Sequence, residues 1–275
     1  MKLKSFGGLR FCLTFRKFAE FIVSGPLVAL AALLLVSFSA TCQGQDGIQL
    51  FHKMQTALGG SDKIAAIQDF DQCVRAESWN EDGKPHGEVY KRTRWIRPNV
   101  LRLDQVGPGD SYALYFNVVS GWEILPDKGF VELAGEELAL ARGYLGGIDS
   151  SFWLADRNSA NIFTASSANV ITISRRGDVS RRTEVTLDPV TFLPLKVASI
   201  LLADASLPAA TRTRQFEGWE SFRGIKFPAR IINFHGERKL ADIHLQEIKL
   251  DGGIKSADLA VRPEGLSPNM SRCRK

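Results

Sequence analysis

The sequence is short of the residues that metal and nucleophile chemistry needs: of 275 positions, only four are Cys and four are His. His52, His86, His235 and His244 stand apart from one another, and the chain contains no HExxH pair, no Cys-x-x-Cys and no Gly-x-Ser-x-Gly elbow. The glycines of "GPGD" and "LGG" read as turns, since neither group bridges a strand and a helix opening as a phosphate cradle would. No catalytic residue, metal ligand or cofactor is expected, and the protein is read as a non-enzyme.

A strong charge is also missing from the body of the chain. Lys and Arg number 35 against 30 Asp and Glu, a net +5. Residues 1–44 hold Lys2, Lys4, Arg10, Arg16 and Lys17 against Glu20 alone, so the rest carries a net charge of only +1. That leaves the segment "VYKRTRWIRPNVLRLD" (89–104), where Lys91, Arg92, Arg94, Arg97 and Arg102 surround Trp95, without the whole-domain field of a nucleic-acid binder. Strand alternation spreads these cations over both faces of two strands. A solvated strand surface is the reading, and no nucleic-acid partner is expected.

Apolar runs of membrane-spanning length are lacking too. The basic opening leads into "PLVALAALLLVSFSA" (26–40), which is about as long as the apolar core of a secretory signal and shorter than the roughly 20 residues of a spanning helix. Small residues follow. Cleavage after Gly44, with Cys42 at minus three, or after Thr41, with Ser39 there, satisfies the small-x-small rule. We therefore expect a signal peptide at 1–44 and export to the periplasm, with an uncleaved anchor or a lipidated Cys42 as the alternatives. In an oxidising compartment the body's cysteines, Cys73 and Cys273, are disulfide candidates, the alternative being a half-buried Cys73 and a free Cys273.

What is present is a β pattern. "DGIQLFHKMQTALGG" and "SDKIAAIQDF" predict two short helices, the first ending on Gly59-Gly60 and the second capped by Ser61. After Asp69 the period becomes two: "DQCVRAESW", "GEVYKRTRW", "NVLRLDQV", "YALYFNVV" and "GWEIL" alternate with turn chemistry. A helix is expected over 135–147 ("GEELALARGYLGG"), with Leu138, Ala141, Arg142 and Leu145 at helical spacing, followed by a loop or helix carrying Phe152 and Trp153. Six further strands run from "NVITISRR" to "LADIHLQEIKLD". With no repeat and no linker, a single domain at 45–265 and a flexible tail at 266–275 are expected.

This order of elements, with four stretches in particular, resembles the LolA/LolB-like outer-membrane lipoprotein-sorting proteins. "RWIRPNVLRLD" is similar to that family's arginine-proline-asparagine turn and following strand, and "SGWEILP" to its next hairpin. "TEVTLDPVTFLPLKV" and "FEGWESFRGIKFPARI" resemble hairpins of its second half. The similarity covers about residues 47 to 262. It implies a mainly β, α+β fold: a half-open antiparallel β-barrel with helices over its concave face, whose apolar cavity takes acyl chains.

On that reading the cavity is lined by Trp79, Trp95, Leu101, Phe116, Trp122, Trp153 and Trp219, with Leu138 and Leu145 on a helical lid. Arg97 is the residue that would hydrogen-bond the lid shut, whereas the residues alone read the aromatics as ordinary core and leave a solvated Arg97 open. The implied function is a monomeric periplasmic carrier or chaperone for lipoprotein acyl chains or other apolar ligands, with a membrane-protein donor or acceptor. The alternative is an envelope-stress sensor or interaction module on the same fold.

Overall fold

In the computed structural model the described residues are 46–80, 82–108, 111–143, 152–202, 209–267 and 269–271. The expected leader, with Cys12 and Cys42, lies outside them, as do Leu145 and Cys273.

Helix α1 (Gly47–Ala57) starts where the Asp46 carboxylate accepts the Ile48 amide proton, the usual service of an N-cap. Its apolar residues recur at three and four, so Leu50, Phe51, Met54 and the following Leu58 share one face, and all four are fully buried. The chain leaves it through Gly59 and Gly60, both at positive φ. Gly59 has a second reason to be glycine: a Cβ there would stand 2.2 Å from the Gly224 carbonyl oxygen. Helix α2 (Ser61–Ala66) follows, and here the sequence reading needs correction. Gly60, not Ser61, occupies the cap position, and no side chain caps the helix.

The described strands form one antiparallel sheet of 13 strands, ordered β6-β5-β4-β3-β2-β1-β13-β12-β11-β10-β9-β8-β7. The first meander comprises β1 (Asp69–Trp79), β2 (Pro85–Ile96), β3 (Val100–Val106), β4 (Tyr112–Phe116), β5 (Gly121–Leu125) and β6 (Gly129–Leu133). After α3 (Gly135–Gly143) and a 3-10 turn at Ala155–Arg157 come β7 (Asn161–Ser167), β8 (Val170–Arg175), β9 (Asp178–Leu187), β10 (Pro194–Leu201), β11 (Ala210–Phe222), β12 (Ile225–His235) and β13 (Arg238–Leu250). The last strand returns to pair with the first, from Phe70 opposite Leu250 to Ser78 opposite Ala241, which joins the meanders into one surface. The sheet is not closed: β6 and β7 are its edges. Both were missing from the sequence reading. The fold is thus mainly β, a half-open antiparallel barrel with α1, α2 and α3 packed on its concave side.

Alternation assigns the faces. Phe70 lies opposite Trp95, Trp95 opposite Leu101, and Leu101 opposite Phe116, a row running across four strands on the concave side. The same row continues across the second half through Val197, Val185 and Ile171. These residues and the buried face of α1 form one continuous core. A second, smaller apolar cluster sits on the convex side, where Ala113, Tyr115, Trp122 and Ile124 meet Leu259 of the short helix α4 (Ser256–Ala260).

Candidate functional site

The concave face offers the larger apolar surface, and α1 lies in it. Phe51 stacks on Phe163 of the edge strand β7 at 4.8 Å between ring centroids, while Phe70 and Trp95 meet at 5.5 Å. Towards the second half Trp153 packs edge-on to Phe216 at 6.0 Å, and Phe216 in turn meets Trp219. Gln55, buried on α1, donates from Nε2 to the Trp153 carbonyl and to Asp156 Oδ1, both at 2.9 Å, which ties α1 to the 3-10 turn. Outside that joint a cleft of about 450 Å³ opens between α1 and α2, lined by His52, Thr56, Asp62, Lys63 and Asp156 among others.

Two indole donors disturb this apolar picture. The Nε1–H groups of Trp95 and Trp219 are buried and find no acceptor among the described residues. A buried donor left unpaired costs on the order of 1–3 kcal/mol, which the burial of a large aromatic side chain offsets.

Arg97 opens the turn between β2 and β3. Its Nε donates to the Ile67 carbonyl at 2.8 Å and its Nη2 to the Ile64 carbonyl at 3.1 Å, the orphan acceptors at the end of α2. The guanidinium lies 4.9 Å from the Trp95 ring centroid. Partial burial, with Arg157 adding repulsion, pulls its pKa down from the ordinary arginine value. Arg97 is therefore a half-buried bridge from the sheet to α2.

Helix α3 is held differently: Leu138 is its one buried residue. It rests against Gly121, where an added Cβ would come within 3.0 Å of Leu138 Cδ1, so the glycine of "SGWEIL" is needed for the helix's approach.

Eight of the nine apolar residues read from the sequence as cavity lining are described, and they separate into three groups. Trp95, Leu101, Phe116, Leu138 and Trp153 are together in the concave core, with Trp219 packed against it. Trp122 is not with them. It neighbours Gly121 in an alternating strand and so points to the convex face, in contact with Tyr115 at 5.7 Å. Trp79 belongs to neither cluster; a register shift at the end of β1 turns it out, half-buried, under Lys239 at 4.2 Å. Leu145 lies outside the described residues. Of the disulfide candidates, Cys73 is disulfide-bonded and Cys273 lies outside the described residues.

The basic stretch resolves into ion pairs on the convex side. Arg92 Nε meets Asp71 at 2.8 Å, and Arg94 and Arg102 converge on Asp104, whose side chain is fully buried. Bonding to Asp71 raises the Arg92 pKa, whereas burial lowers that of Arg94. Farther along, Asp242 receives Arg230 at 2.6 and 2.7 Å and Lys239 at 2.7 Å. The Arg230 guanidinium holds the Asp242 carboxyl well below the usual carboxylate range.

No protein-family model matches this chain, and no curated protein matches it. Solved structures do. A LolA superfamily protein from Nitrosomonas europaea superposes with a TM-score of 0.50 at 11% identity, covering 78% of this chain and 98% of that one. A DUF1329 family protein from Desulfovibrio piger gives 0.52 at 12% identity, with 78% and 98% coverage. An outer membrane lipoprotein-sorting protein domain from Vibrio parahaemolyticus gives 0.47 at 13%, with 78% and 96%. At these identities the likeness is one of fold: the chain has the LolA-like open barrel.

Proposed function

We propose that this is an exported, non-enzymatic carrier that takes acyl chains of lipoproteins, or other apolar ligands, into the concave face of its open barrel. The observation that carries the reading is the way that face is covered. A continuous apolar surface spanning both meanders is covered by separate helices, not by the sheet itself; α1 buries a whole face in it, whereas α2 and α3 are held by fewer buried residues. Helix α2 buries Ile64 and is bridged by Arg97, and among the described residues α3 packs through Leu138 and the partly buried Ala141. Such covers belong to the low-stability end of a structure, where opening is cheap.

The energetics favour a chain-like ligand. Each methylene withdrawn from water contributes about 0.8 kcal/mol, so a long acyl chain brings on the order of 10 kcal/mol before ordering costs. An entering chain would take the place of α1 side chains on that face, apolar surface for apolar surface, so the net gain is a fraction of this figure. Export follows from the leader, and a membrane-protein donor or acceptor from the need to load and unload such a ligand.

One observation favours a second reading. Leu50, Phe51, Met54 and Leu58 already fill the concavity, which suits a sensor or interaction module that keeps its core and binds a protein partner instead. A titration separates the two. Mature protein is titrated with a fluorescent long-chain fatty acid and then with an unlabelled diacylated lipopeptide. A carrier gives saturable uptake that the lipopeptide displaces; a protein that ignores both is the interaction module.

A further inference from the structure

Helix α1 fills the concave face, and one residue of its buried side is polar. Leu50, Phe51, Met54 and Leu58 turn into the core, yet Gln55, one helical turn after Phe51 on the same side, is 3% exposed. Both hydrogens of its Nε2 are used, one on the Trp153 carbonyl and one on Asp156 Oδ1, each at 2.9 Å. Trp153 packs on Phe216 in the concave core, so this joint ties α1 to the segment that covers the second half of the sheet. At its C-terminal end α1 is held by main chain, with the Lys226 amide donating to the Leu58 carbonyl at 2.8 Å.

Asp156 has a second oxygen, and it faces His52. His52 stands three residues before Gln55 on α1 and places Nε2 3.5 Å from Asp156 Oδ2. That is long for a hydrogen bond and within reach of an ion pair, so the contact gains most of its strength when the imidazole carries a proton. The His52 side chain is 56% exposed and meets solvent protons directly, whereas Asp156, at 19%, is held in place by Gln55. Each element around the pair brings its own charges. Asp62 and Lys63 of α2 line the same cleft, and Arg157 of the 3-10 turn points its Nη2 at Asp62, 3.9 Å away. Lys53 of α1 lies over Phe192 at 5.1 Å, in the β9–β10 turn, where Asp188 accepts the Val190 and Thr191 amide protons. Of these side-chain types only histidine ordinarily changes charge between pH 5 and 8.

We infer that His52, Asp156 and Gln55 form a proton-sensitive latch of α1, tightened as pH falls through the histidine range and loosened above it. At high pH the neutral Gln55 amide alone ties the helix to Asp156. When the imidazole takes up a proton, both ring nitrogens become donors and a positive charge faces a carboxylate that Gln55 has already oriented. An ion pair as exposed as this one shifts an opening equilibrium by a factor of about two to five. The latch stands on this geometry; its consequence rests on the carrier reading above, since α1 must leave the concave face before an acyl chain can lie there. Acid then keeps α1 down, and loading is favoured at neutral and alkaline pH.

The test is amide exchange on the full chain, corrected for the pH dependence of the chemical exchange step. Relative to β11 to β13, protection over 47–57 and 153–157 should rise about threefold from pH 8 to pH 5.5 in the wild-type protein. His52→Gln and His52→Lys, whose charges are fixed, should show no such rise, and neither should Asp156→Asn. No rise in the wild-type protein, or a rise of the same size in His52→Gln, overturns the latch. So does a rise spread evenly over the sheet, which would belong to the other histidines. Uptake of a fluorescent diacylated lipopeptide that does not titrate in this range should slow by the same factor on acidification, in the wild-type protein and not in His52→Gln. The expected exchange pattern with no uptake at either pH supports the latch and removes the carrier reading; uptake without that pattern removes the latch and leaves the carrier.

Discussion

Replacing Arg97 with alanine probes how the cover is held. The side chain gives two charge-assisted hydrogen bonds to the carbonyls of Ile64 and Ile67, at 3.1 and 2.8 Å, and rests on the Trp95 ring. Charged hydrogen bonds contribute about 1.5–3 kcal/mol each when buried, but Arg97 is only half-buried, and solvent reduces that. The ring contact adds about 0.5–1 kcal/mol. Allowing for water taking over the freed carbonyls, the loss is about 2 kcal/mol, confined to the joint between α2 and the sheet. At about 1.4 kcal/mol per factor of ten, the open population of α2 rises about thirtyfold. Hydrogen exchange followed by mass spectrometry reads this directly: amides of 61–67 should exchange about thirtyfold faster, while those of β1 and β11 to β13 keep their protection. Uptake of a fluorescent fatty acid should become faster. Arg97→Lys, which cannot span both carbonyls, should fall between. No change in 61–67 would mean that Arg97 is a solvated bystander, and a uniform loss of protection across the sheet would mean that it holds core, not cover.

Leu138→Glu removes the single buried anchor of α3 and should abolish acyl uptake while lowering stability by about 2 kcal/mol, the worth of one buried leucine, as measured by the denaturant midpoint. Unfolding of the whole chain by that change would mark α3 as core. Asp242, held below the usual carboxylate range by Arg230 and Lys239, contributes stability that is fully present above the unfolded value near pH 4 and is lost as pH falls below it towards the folded value. Asp242→Asn should therefore cost about 1–3 kcal/mol at neutral pH and flatten the acid limb of the stability curve, as read by urea melts across pH.

Much of this architecture could be read from residue spacing. Leu50, Phe51, Met54 and Leu58 fall on one helical face, and the "RWIRPNVLRLD" alternation sorts Trp95, Leu101 and Leu103 from Arg94, Arg102 and Asp104 as the sheet does. The edges were harder. β7 reads "NIFTASS", small and polar because only one neighbour and one face need satisfying, and β6 is five residues opening on Gly129. A period of two says which residues share a face but not which face is the concave one. Trp122 was therefore grouped with Trp95 although one residue of phase separates the two walls. The segment after β13 carried almost no local signal, since it is held by Arg102, Trp122 and Asp69 from strands more than a hundred residues away.

The most direct test of a carrier is what it holds in its own compartment. Native mass spectrometry of the full chain, expressed with residues 1–44 and purified from the envelope without detergent, should show a fraction of molecules heavier by one acylated ligand, released on organic extraction and lost in Leu138→Glu. A single mass equal to that of the bare mature chain, unchanged after incubation with diacylated lipopeptide, would contradict the account.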